Sequence, residues 1–244
     1  MIEVTNLQKS FGKVQAVRRV SFSAHDGHIT GLLGPNGAGK TTTLRVLYTV
    51  LRPDSGTALV DGIDVLTNPQ EVQRRIAALS DSKGLYARLT PREHMRYYGR
   101  LQGMNGAPLE RSIDNLVKLL EMQEFADRKV DGFSQGQRLK VAIGRALVHS
   151  PQHILLDEPT NGLDVMSTRA MRTIIRRMRD EGRCVLFSSH IMQEVAALCE
   201  RVVVIARGEV VADGTPDELR ARTGQANLED AFVAAIGTEE GLML

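Results

Sequence analysis

Residues Gly34-Pro35-Asn36-Gly37-Ala38-Gly39-Lys40-Thr41-Thr42 constrain this chain more than any other stretch. They follow an apolar run, Ile29–Leu33, and precede Leu44, Leu47, Tyr48 and Leu51, which share one face at helical spacing. The pattern G-x-x-x-x-G-K-[ST] between a strand and a helix is a phosphate-binding loop. Its glycines let the backbone curl until successive N–H groups point inward at phosphate oxygens. The helix that starts there adds about half a positive charge at its N-terminus. Lys40 supplies a full charge to the β- and γ-phosphates, and the Thr41 hydroxyl is placed to ligate Mg²⁺.

Around this loop the chain alternates strands with helices. Ile29–Leu33, Ala77–Leu79, Ile154–Leu156, Cys184–Phe187 and Val202–Ala206 read as buried strands. Ala170, Ile174, Ile175 and Met178 form a helical stripe, closed by Gly182 at C′. A mostly parallel α/β sheet follows from this alternation. Ile2–Leu7, Val17–Ala24 and Thr57–Asp61 read instead as an antiparallel β layer beside it. From Thr90 to Ser150 no good strand occurs. Pro108 reads as an N1 residue, followed by Leu109, Ile113, Leu116, Val117 and Leu120 on one face. This segment is read as a helical lobe inserted in the core. Leu228, Phe232 and Ile236 predict one last amphipathic helix.

Composition limits the possible functions. The 244 residues hold 31 Lys+Arg against 29 Asp+Glu, a net charge of +2. That balance argues against a dedicated nucleic-acid binder, and none is expected as a partner. The longest apolar run is Ala231–Ile236, far short of the roughly 20 residues a spanning helix needs. The N-terminus carries no basic-then-apolar signal segment, so neither export nor membrane spanning is expected. Cys184 and Cys199 are read as free buried thiols in a reducing compartment.

A second site signal is Ile154-Leu155-Leu156-Asp157-Glu158-Pro159, an apolar strand that ends in two carboxylates. Neighbouring side chains on a strand point to opposite faces, so the two acids cannot share one task. One can approach a Mg²⁺ shell while the other addresses the attacking water.

Taken with Phe133-Ser134-Gln135-Gly136-Gln137-Arg138, these motifs resemble the nucleotide-binding subunit of an ABC transporter over nearly the whole chain. The resemblance implies a P-loop NTPase core of ABC ATPase type, residues 1–89 and 151–222, with an inserted helical subdomain, 90–150, and a helical tail, 223–244. It implies ATP and Mg²⁺ as ligands. Ser134, Gly136 and Gln137 match the family's signature segment, and Asp164 in Asn161-Gly162-Leu163-Asp164 matches the D-loop. His190 resembles the switch histidine and Phe11 the aromatic that stacks on adenine. The catalytic set implied is Glu158, His190, Lys40 and Asp81; the metal set is Thr41, Asp157 and Asp81.

The resemblance also implies partners. A second copy would close over ATP with its signature helix, and a polytopic membrane permease would dock near Asp81 and the lobe, at the cytoplasmic face of the membrane. The segments FSQGQRLKVAIGRALVHSP and DEPTNGLDVMSTRAMR resemble exporter ATPases, with sodium as the cargo implied. A soluble ABC ATPase acting on ribosomes or DNA, and an importer ATPase, are the alternatives.

Two departures from the family's pattern stand out. Asp81 occupies the Q-loop position unless the alignment shifts to Ser80 or Ser82, and an aspartate cannot donate as an amide does. Gln135 replaces a signature glycine. Outside the motifs, His25 and His28 read as solvated, and His94, His149 and His153 as structural or surface. Arg169, Arg172, Arg176, Arg177 and Arg179 read as a solvated basic face. Met95, Tyr97 and Tyr98 fit either lobe core or a socket for a partner helix.

Overall fold

In the computed structural model, which describes residues 1–79 and 84–237, ten strands form one sheet. The strands are β1 (Ile2–Phe11), β2 (Val14–Ala24), β3 (Ile29–Leu33), β4 (Ser55–Val60), β5 (Ile63–Asp64), β6 (Ile76–Leu79), β7 (His153–Asp157), β8 (Cys184–Ser189), β9 (Arg201–Ala206) and β10 (Glu209–Gly214). Their spatial order is β5-β4-β1-β2-β10-β9-β3-β8-β7-β6. The run β9-β3-β8-β7-β6 is parallel, and β5-β4-β1-β2 is antiparallel. The β9–β10 hairpin joins them, antiparallel within itself and touching β2 at Glu209↔Arg19. The expected parallel core with an antiparallel layer is therefore what the chain builds.

Side-chain alternation explains why the parallel strands read as continuous apolar runs. Ile154 and Leu156 of β7, and Val185 and Phe187 of β8, enter one core. Leu155, Cys184 and Leu186 point to the other face and enter a second core with Leu32, Leu44 and Val203. Both faces are covered, so the middles of these strands are apolar on both sides, and polar residues such as His153, Asp157 and Ser188 sit toward their ends. The first core continues into the helices α3 (Pro91–Leu101), α4 (Gly106–Leu119) and α5 (Gln135–Leu147), all inserted between β6 and β7. The second holds α1 (Lys40–Leu47) against the antiparallel layer.

The remaining helices are α2 (Pro69–Arg75), α6 (Val165–Asp180), α7 (Met192–Leu198), α8 (Pro216–Thr223) and α9 (Leu228–Ile236). Leu228 and Phe232 of α9 are buried in the same core as Val202, so the last helix packs on the sheet. Both cysteines are free and buried.

Several local expectations need correction. Asn105 caps α4, so Pro108 falls at its third position rather than its first. Every N–H of that first turn lacks a helical acceptor, which is why proline is tolerated there. The buried stripe of α6 is Met171, Ile175 and Met178, while Ala170 is exposed. Helix α1 ends at Leu47 because Thr49 turns left-handed at φ 64°, leaving Leu51 beyond it. Met95 is fully buried as lobe core, whereas Tyr97 is exposed, so the two readings of that group divide between its members.

Candidate active site

The phosphate-loop backbone is fixed by close approach. A Cβ on Gly34 would stand 2.1 Å from the Ile205 carbonyl oxygen, and one on Gly39 2.5 Å from that of Ala16. Gly39 also sits at φ 108°, a conformation open in practice only to glycine. The turn at Gly208 closes on the loop from outside. Its N–H donates to Ala38 O at 3.0 Å, and its carbonyl accepts from Arg18 N at 2.7 Å and Arg19 N at 3.2 Å.

Lys40 opens α1 and folds back across the loop, with Nζ donating to Gly34 O at 2.7 Å and Pro35 O at 3.1 Å. Burial lowers its pKa from the ordinary value, while the nearby Glu158 and Asp157 carboxylates pull the other way. Thr41 Oγ1 donates to Asp157 Oδ1 at 3.0 Å, and Ser188 Oγ donates to the same oxygen at 2.7 Å.

Glu158 follows the last residue of β7 and adopts φ 48°. This left-handed turn, rather than strand alternation alone, separates the two acids. Asp157 faces Thr41 and Ser188, while Glu158 lies 3.5 Å from Lys40 Nζ and 2.9 Å from His190 Nδ1. An ionised Glu158 requires the proton on His190 Nδ1 for that contact. The Glu158 N–H donates to Ser188 Oγ at 3.0 Å, so one hydroxyl braces the Asp157 carboxylate and the Glu158 backbone.

These groups converge on a cavity of about 700 Å³, within the size range of small-molecule sites. Phe11, half-exposed, forms its outer wall. Asn36, Gly37, Ala38, Gly39, Lys40, Thr41 and Thr42 form its floor, and Asp157, Glu158 and His190 its far side. Gly34 and Pro35 lie behind the floor, holding Lys40. Val14, Gln15, Ala16, Arg45 and Asn161 also line the cavity, and Ser188 braces it. None of these but Asn161 stood out in the sequence.

Ser134, Gly136 and Gln137 do not reach this cavity. Ser134 caps α5 in a reciprocal box with Gln137, whose N–H it accepts at 3.2 Å and whose Oε1 accepts the Ser134 N–H at 3.0 Å. Gly136 backs onto helix α6, where a Cβ would stand 2.8 Å from Ser167 Oγ. Asp164 caps α6, accepting from Ser167 N at 2.8 Å and Ser167 Oγ at 3.0 Å. Hydrogen bonds from Ser167, backbone first, hold its carboxyl below the usual range. Gln135 Nε2 approaches Gly162, so the departing signature residue meets the D-loop segment of its own chain. Asp81, with Ser80 and Ser82, lies outside the described residues.

A glycine-cradled lysine at a helix start, faced by two carboxylates from the end of β7, two strands away in the sheet, defines a P-loop ATPase. Residues 17–161, more than half of the chain, match the family described as ABC transporter, and the chain belongs to that family as an ATP-binding, ATP-hydrolysing subunit. It is 42% identical over 97% of its length to the ABC transporter ATP-binding protein NatA of Bacillus subtilis (strain 168), covering 98% of that protein. It is 34% identical over 97% of its length to the doxorubicin resistance ATP-binding protein DrrA of Mycobacterium tuberculosis (strain ATCC 25618 / H37Rv), covering 75% of it. A solved ATP-binding subunit of an ABC transporter superposes with a TM-score of 0.88 at 28% identity, over 96% of this chain and 99% of that one.

Proposed function

We propose that the chain powers export through a separate membrane subunit, working as a pair of copies that enclose two ATP molecules. Lys40 and the loop amides bind the phosphates, and Phe11 packs against the base. Thr41 and Asp157 offer the hard oxygen donors that suit Mg²⁺, and Asp81 is the third donor we assign there. Bound there, the ion would neutralise charge on the phosphate oxygens. Glu158 orients and polarises the attacking water, and His190 holds Glu158 and meets the γ-phosphate. The helical lobe, 90–150, carries Ser134, Gly136 and Gln137 to the partner copy's ATP, with Asp164 beside them.

The convergence of Lys40, Thr41, Asp157, Glu158 and His190 on one cavity, with the signature residues outside it, carries this reading. It supports completion of the site by a second molecule. Among the described residues no helix is long and apolar enough to cross a membrane. In this reading transport runs through a separate membrane subunit. Exposed Tyr86, Tyr97 and Leu101 mark the face we assign to that partner, at the cytoplasmic side of the membrane. Likeness to NatA and to a drug-resistance ATPase favours export, and sodium is the first cargo to assay.

The test is the mass of the Glu158→Gln chain by light scattering. Doubling with Mg²⁺–ATP and not with ADP is the expected result. A chain that binds ATP yet stays monomeric at high concentration would overturn the paired reading. Sodium efflux from vesicles holding the chain and its membrane partner, lost in Lys40→Ala, tests the transport reading.

A further inference from the structure

A second cluster of chemically able groups lies at the opposite edge of the sheet. His153 opens β7 and Cys184 opens β8, directly paired in register. Both side chains are fully buried. Asp26, in the turn before β3, reaches them from the surface and is half-exposed. One ligand atom from each of the three lies within 4.8 Å of the others.

The imidazole is the informative member. Its Nε2 stands 2.9 Å from Asp61 Oδ1, which fixes the proton on that nitrogen. Its Nδ1 is buried without a hydrogen-bond partner and faces Asp26 Oδ1 at 3.8 Å. A buried lone pair left unmatched is unfavourable, and a cation is one way to match it. A carboxylate that orients a histidine through its far nitrogen is also the arrangement that metal-ligating histidines need.

We infer that Asp26, His153 Nδ1 and Cys184 Sγ form a site for one thiophilic divalent cation of the zinc class. Thiolate, imidazole and carboxylate together are donors zinc accepts. A tetrahedral centre with bonds of about 2.0–2.3 Å sets its ligand atoms roughly 3.3–3.8 Å apart. The cluster must therefore contract only slightly, and the surface turn of Asp26 gives both the movement and the way in. On binding, the Cys184 thiol loses its proton to solvent. The Met1 amino group, 3.0 Å from Asp26 and 2.9 Å from Asp61, is the cation that competes. The bound ion ties the turn before β3 to the first residues of β7 and β8, far from the phosphate loop.

The test is titration of the nucleotide-free full chain with Co²⁺ under excess Mg²⁺. One equivalent should give a thiolate-to-cobalt charge-transfer band with tetrahedral visible absorption, and Zn²⁺ should displace it. No cysteine lines the phosphate-loop site, so a thiolate band cannot arise there. Cys184→Ser should abolish the band, and Cys199→Ser should leave it. Asp26→Asn, at an exposed position that keeps the fold, should weaken binding at least tenfold. Asp61→Asn should weaken it by about 10–100-fold through the second nitrogen. Absence of the band in folded wild type would overturn the site, as would its survival in Cys184→Ser or unchanged affinity in Asp26→Asn.

Discussion

The Lys40 ammonium lies 3.5 Å from the Glu158 carboxylate, and both groups are largely buried. The pair links the end of the phosphate loop to the end of β7. Each member has its own second anchor, the Gly34 and Pro35 carbonyls for Lys40 and His190 for Glu158. Substituting one side therefore leaves the other placed, and the two substitutions should give different phenotypes.

Glu158→Gln keeps the shape and removes the base. Turnover should fall by about 10²–10⁴-fold with ATP affinity retained. Phosphate release measured beside nucleotide binding separates the two, and near-normal turnover would remove Glu158 from the role of base.

Lys40→Ala should act on binding itself. It deletes a buried charge and strands two carbonyl acceptors. A lost charged hydrogen bond of about 1.5–3 kcal/mol corresponds to roughly 10–100-fold weaker nucleotide binding. Calorimetric titration with ATP reads this directly, and an unchanged Kd would take Lys40 out of the site.

Ser188→Ala removes the hydroxyl shared by Asp157 and the Glu158 amide. Stability should drop by about 1–3 kcal/mol, because a buried N–H loses its acceptor. A purely structural role would stop there. A positioning role should also raise the Mg²⁺ concentration needed for half-maximal turnover.

Much of this site could be read from the sequence, because the phosphate loop is local. Nine consecutive residues supply its amides, its charge and its hydroxyl. The strand ending in Asp157 and Glu158 is similarly self-contained. Ser188 was not legible as a brace, since its role arises only when β8 pairs with β7 and sets Asp157 opposite it. Helix α2 escaped notice because it buries one residue, Val72, and β10 because its burial alternates weakly. Ala170 and Met171 both fit helical spacing on α6, and only packing chooses between them. Helix α3 starts at a reciprocal capping box between Thr90 and Glu93, which was not singled out in the sequence.

Gly34→Ala tests the loop's packing. Its Cβ would meet the Ile205 carbonyl, a backbone atom that cannot rotate away. Overpacking should cost about 1–3 kcal/mol. For a chain of this length that lowers Tm by roughly 2–10 °C. A melting temperature equal to wild type would show that the strands part more easily than their hydrogen bonds imply.

His94 gives a pH prediction. It is fully buried, with Nε2 3.0 Å from the Tyr86 N–H and Nδ1 2.9 Å from the Thr90 carbonyl oxygen. Burial lowers its pKa below the ordinary 6.5. The unfolded chain then binds a proton that the folded chain refuses, so stability rises with pH across this window. The contribution is complete above about 6.5 and is lost as pH falls from there toward the folded value. Urea midpoints measured from about pH 7.5 down to about 5.5, across the histidine range, should decline more in wild type than in His94→Gln. Parallel declines would assign the acid sensitivity elsewhere.

One residue, Gly208, grips the phosphate loop through its N–H and β2 through its carbonyl. The wall that carries Phe11 and the floor that carries Lys40 are thereby riveted together. Tilting the antiparallel layer must drag the loop with it, so mechanical load on either half is felt by the other without any rearrangement of the sheet between them.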